Sequence, residues 1–182
     1  NEASLKKNYP FDIGAELDAG EEPAVPFEEA EEIISKYAEI EKRIYYSTYT
    51  SENSYLHSFT RWSGEGYASL YDSFITESDF NRLYGELGLS PIELNGGFKI
   101  LSNDTRMDGF DFSAAVLEFS GERLFYKGME TDYPVLGYYY FLTVIPDDVA
   151  ASLKPYCSGA VYTLKEGKFD ARGLREALSY EY

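Results

Sequence analysis

The stretch "ITESDFNRLYGELGLSPIEL", residues 75–94, changes its pattern twice within twenty residues, and those changes decide the fold class. Ile75 and Thr76 close a strand-like run. Thr76 or Ser78 is placed to cap a helix whose first turn carries Glu77 and Asp79, where the helix dipole favours acids. Phe80, Leu83, Tyr84 and Leu87 then recur at helical spacing, and Gly88 supplies a stop. The continuation "SPIELNGGFKIL", residues 90–101, reads as strand, Asn-Gly-Gly turn and strand, a hairpin signal. The stretch holds no His, no Cys and no phosphate loop.

Toward the N-terminus, alternation from Phe11 to Leu17 predicts a first strand. Pro26 stands where a helix can begin, and Ala30, Ile33, Ile34, Tyr37 and Ile44 predict one apolar helical face over 27–42. Glu32 with Lys36, and Glu39 with Arg43, then form i,i+4 pairs. "RIYYSTYTS" (43–51) follows as a strand of β-branched and aromatic residues. Residues 53–66 read as a long loop or irregular hairpin, and "ASLYDSFIT" (68–76) returns to strand.

Toward the C-terminus, "SAAVLEF" (113–119), a Ser-Gly turn and "RLFYKGME" (123–130) predict two strands. "YYYFLTVI" (138–145) is apolar at successive positions, which places it inside a sheet with both faces covered. Pro146 starts a short helix to Leu153, "GAVYTLK" (159–165) is a strand, and Asp170 caps a closing helix. The sum is a single domain over 1–182 of class α+β: a mixed or mostly antiparallel sheet with about four helices.

Composition narrows the function. Sixteen Lys and Arg stand against 32 Asp and Glu, a formal net charge of −16. With no basic cluster longer than Lys6-Lys7, the chain would repel a polyanion, so nucleic acid is excluded as a general partner. Cys157 is the one cysteine, so neither an internal disulfide nor a multi-cysteine zinc site can form. No apolar run reaches the roughly 18 residues of a membrane span.

Chemical motifs are sparse. His57, the one histidine, could pair with Cys157 as a thiol dyad, but no activating element follows Cys157. "NDTRMDGFD" (103–111) resembles a calcium loop at Asp108 and Gly109 only. Arg106 stands where a ligand belongs, and Ala115 occupies the place of the bidentate acid. No metal and no cofactor is expected. Among 32 acids no catalytic pair can be singled out, and no Walker, Rossmann or HExxH signature occurs. What remains is "SYLHSFTRWSGEGY" (54–67). Its Tyr55, His57, Phe59, Arg61, Trp62 and Tyr67 have the amphipathic composition of a ligand- or partner-contact site.

"SDFNRLYGELGLSPIELNGGFKIL" (78–101) resembles a segment of the extracytoplasmic domains of FtsX-like ABC transporter permeases of Gram-positive bacteria. "LKKNYPFDIGAEL" (5–17) is similar to the stretch leaving a membrane helix in these proteins, and "FLTVIPDDVAASL" (141–153) to their late strand and Pro-Asp helix. The resemblance implies a non-catalytic extracellular domain at the cell membrane. Its partners would be transmembrane helices of the same full-length chain, a cytoplasmic ATP-binding subunit and a cationic peptide or lipid outside the cell. A free or lipid-anchored surface ligand-binding protein is the alternative, with an enzyme the third reading. The surface-protein alternative predicts a deep aromatic-lined cleft of about 300 to 1,000 Å³.

Overall fold

The computed structural model describes residues 12–18, 27–50, 55–61, 64–68, 74–86, 88–102, 110–119, 121–130, 142–166 and 170–179. The elements are β1 (Ile13–Asp18), α1 (Phe27–Ser35), β2 (Ile40–Thr50), β3 (Tyr55–Arg61), β4 (Gly64–Ala68), β5 (Phe74–Thr76) and α2 (Glu77–Gly85). There follow β6 (Gly97–Leu101), β7 (Phe110–Asp111), β8 (Val116–Phe119), β9 (Glu122–Glu130), β10 (Leu142–Ile145), α3 (Asp147–Ala150), β11 (Lys154–Leu164) and α4 (Ala171–Ser179). All eleven strands join one mixed sheet in the order β1-β11-β2-β5-β10-β6-β9-β8-β3-β4, with β7 on β3. Two pairs are parallel, β5 with β10 and β6 with β9; the other described pairs are antiparallel. The fold is α+β with four helices, as the sequence predicts.

Strand alternation sends neighbouring side chains into different cores. In β5, Phe74 enters one cluster and Ile75 another; in β6, Ile100 and Leu101 divide likewise, as do Val144 and Ile145 in β10. Phe80, Leu83 and Tyr84 of α2 cover the first face with Ile75, Val144 and Val161. Ala150 of α3 and Phe112 lie in the cluster with Phe74, Phe98 and Leu124. Ile34 of α1 and Leu174 of α4 cover Ala160, Tyr162 and Leu164 of β11. All four residues of β10 are buried, which accounts for the continuous apolar run 142–145; residues 138–141 of that run lie outside the described residues.

Thr76 is the helix cap: its Oγ1 accepts the Asp79 N–H at 3.1 Å. Ser78, the other candidate, donates through both backbone N–H and hydroxyl to Asp147, tying the start of α2 to the start of α3 at the ends of the parallel pair β5–β10. Asp79 accepts the Ser47 N–H at 2.9 Å and pairs with Arg82 at 2.6 Å, docking α2 on β2. Burial raises the Tyr49 hydroxyl's pKa, and the negative charges of Asp79 and Asp147 add to it. Thr76→Ala is expected to cost about 1 kcal/mol in urea unfolding, whereas Thr76→Ser keeps the cap and most of the stability.

Two expectations need correction. The helix from Phe27 ends at Ser35, not near 42, and Ile40 already belongs to β2. Ten residues of β2 align with β11, and this pairing together with the burial of Ile44 and Tyr46 outweighs helical spacing. Consequently Glu39 and Arg43 do not pair; Glu39 meets Lys165, and Arg43 Nε lies 3.5 Å from Glu31.

The second is the hairpin at 90–101. The turn forms, but residues 89–94 pair with no strand. Asn81 of α2 takes their backbone instead: its Nδ2 donates to Ile92 O at 2.9 Å and its Oδ1 accepts the Ile92 N–H at 2.8 Å. β6 is engaged on both edges, by β10 and β9, so it has no free edge for a hairpin partner. The stop of α2 is as expected: after Gly85, the Gly88 N–H donates to Gly85 O at 2.9 Å and the Leu89 N–H to Tyr84 O at 3.3 Å, with Gly88 at φ +71° as the closing glycine; Leu87 lies outside the described residues. Asp170 caps α4 as expected, accepting the Gly173 N–H at 2.8 Å.

Candidate functional site

Of the two readings of 53–66, the described residues fit the irregular hairpin: β3 pairs with β4, with a register shift between Leu56 and Phe59. Tyr55, His57 and Arg61 are positions of β3 and Tyr67 of β4; Trp62 lies outside the described residues. β3 also pairs with β8, and β8 with β9. Tyr55 is therefore in register with Glu118 and Arg123, and His57 with Val116 and Phe125. Arg61 sits at the far end of β3, opposite Gly64 and Phe110.

These rows lead to the most exposed large hydrophobic side chain described, Phe125, at 57 %. Its strand neighbours Leu124 and Tyr126 turn to the core, while Arg123, Phe125 and Lys127 are exposed on the other face. α2 packs over β2, β5 and β10. Gly97 of β6 lies in the Phe125 row, and a methyl there would overlap Lys127 and the Phe125 carbonyl, so the lysine stem lies flat across the glycine. Arg123 Nε stands 3.4 Å from Glu118, and Lys99 Nζ 2.5 Å from Glu130. Beneath the face, burial raises the pKa of the Tyr126 hydroxyl, with the charges of Asp111 and Glu130 adding to it.

Reading the sequence missed Phe125. The signal was present in "RLFYK", residues 123–127, where cation, aromatic and cation occupy alternate positions. A second feature is acidic: a shallow, open hollow of about 460 Å³ beside α1, lined by Glu28, Glu31, Glu32, Ser35 and Lys36. Its volume falls within the expected cleft range, but it is neither deep nor aromatic-lined. Next to it Tyr45, 42 % exposed, rests on Phe27 and donates to Glu31, a bond that raises its pKa, with burial adding to it.

The Cys157–His57 dyad is opposed by topology. β11 and β3 are separated by six strands, roughly 34 Å along the sheet at about 4.8 Å per strand. Residues 103–109 of the calcium-loop-like stretch lie outside the described residues. Among the described residues there is no group of three or more His, Cys, Asp or Glu placed to hold a metal. Among them too, no helix is long and apolar enough to cross a membrane.

No protein-family model matches the chain, and no curated protein does. The fold is similar to a crystal structure described as "Putative Lipoprotein from Bacillus anthracis". The match has a TM-score of 0.51 and 8 % identity, covering 92 % of this chain and 90 % of that one. At that identity the likeness is one of fold.

Proposed function

We propose that this chain is a non-catalytic contact domain on the outer face of the cell membrane, and that the exposed side of β9 around Phe125 is where it meets a partner. The observation that carries the contact role is Phe125, left in solvent between two exposed cations on β9 in a strongly acidic chain. The resemblance over 78–101 favours an FtsX-like permease, in which flanking membrane helices couple the domain to a cytoplasmic ATPase subunit. Consistent with tethering at one end, the first described strand β1 and the last described helix α4 both pack against β11. A second reading, a lipid-anchored surface protein, is favoured by the fold likeness to the Bacillus anthracis structure.

Affinity purification of the tagged full-length protein from intact membranes separates the two. Retention of an ATP-binding subunit supports the permease; incorporation of labelled fatty acid supports the lipid anchor; neither result overturns both. For the contact face, a photo-crosslinker at residue 125 is expected to capture a partner in cells, while one at Glu176, exposed on α4, does not. Phe125→Ser should weaken capture by a second crosslinker, placed at exposed Lys127, by about tenfold or more while changing stability by less than about 0.5 kcal/mol. Equal capture from residue 125 and Glu176 would remove the contact face from consideration.

A further inference from the structure

Asn95 and Gly96 are the two central residues of the turn before β6. Both have positive φ, 49° and 73°, and the Gly97 N–H donates to Leu94 O at 3.1 Å, as in a type I′ turn. Both are exposed, and a side chain at Gly96 would meet nothing within 4 Å. Among the described residues, neither the Asn95 amide nor the Gly96 N–H makes a hydrogen bond. Asn81 is the opposite case, with both amide atoms held by the Ile92 backbone and Arg82 following it inside a helix.

From this contrast we infer that Asn95–Gly96 is a modification site, at which the chain deamidates itself. The Gly96 amide nitrogen, losing its proton to solvent base, attacks Asn95 Cγ. The new N–Cγ bond closes a five-membered succinimide as the Cγ–Nδ2 bond breaks and ammonia leaves. Water then opens the ring at either carbonyl, giving aspartate or isoaspartate. Glycine matters because no Cβ shields the attacking nitrogen and the backbone can turn toward the side chain. The turn must open for the attack, and one hydrogen bond closes it. Isoaspartate adds a carbon to the main chain between Leu94 and Gly97, both buried, so the product cannot keep the turn without shifting the start of β6.

The test is peptide mapping by mass spectrometry of the folded chain incubated at mildly alkaline pH. Residue 95 is expected to convert at least about tenfold faster than Asn81, giving two acid isomers, because only Asn95 has a free amide next to an unshielded nitrogen. Asn95→Gln, which would need a larger ring, should show no conversion at that position. The inference is overturned if residue 95 remains an amide over a period in which the urea-unfolded chain has converted, or if Asn81 converts first.

Discussion

Phe80→Ala is expected to lower the unfolding free energy by about 3 to 5 kcal/mol, the largest loss from any single truncation proposed for this chain. Phe80 is fully buried, and its ring centroid lies 4.3 Å from that of Tyr84. It anchors α2 over the cluster formed by Ile75, Val144 and Val161, so truncation leaves a cavity under the helix that caps this face. Natural domains hold only roughly 5 to 15 kcal/mol in total, so the variant would unfold at a far lower urea midpoint. A midpoint shift worth less than about 1 kcal/mol would mean that α2 does not pack as described.

Asn81→Leu is expected to cost about 2 to 4 kcal/mol although leucine is the better helix former. The side chain's two hydrogen bonds satisfy the N–H and the carbonyl of Ile92, which is 4 % exposed. Leucine has nearly the same size but no polar atom, so both backbone groups would stay buried without a partner. Hydrogen exchange at the Ile92 amide is the specific readout: it should accelerate well beyond the change at amides of β10. Unchanged exchange there would show that residues 89–94 are held by something other than Asn81.

Much of the candidate site was legible in part. The composition of 54–67 pointed to a contact segment, and its His57 lies in register with the row that ends at Phe125, with Tyr55 in the row of Arg123 two residues away. Phe125 itself, seventy residues further on from Tyr55, was invisible as a site because an aromatic in a strand is ordinarily buried. Its exposure depends on what packs over that side of the sheet, which is a property of tertiary structure and not of the local pattern.

The sequence alone determined the class, the four helices, the cap Asp170, a choice of Thr76 or Ser78 as the α2 cap, the burial of residues 142–145 and the turn at Asn95–Gly96. Each of these rests on interactions within a few residues: a side chain reaching its own helix start, a glycine tolerating positive φ, an apolar run too dense for one exposed face. Tertiary structure decided where α1 ends, what residues 89–94 pair with and which face of β9 meets solvent. In the first two cases the deciding partner is another element: β11 for β2, and α2 for the backbone of Ile92. Local periodicity reports which side chains share a face, and only the assembled sheet determines what, if anything, covers that face.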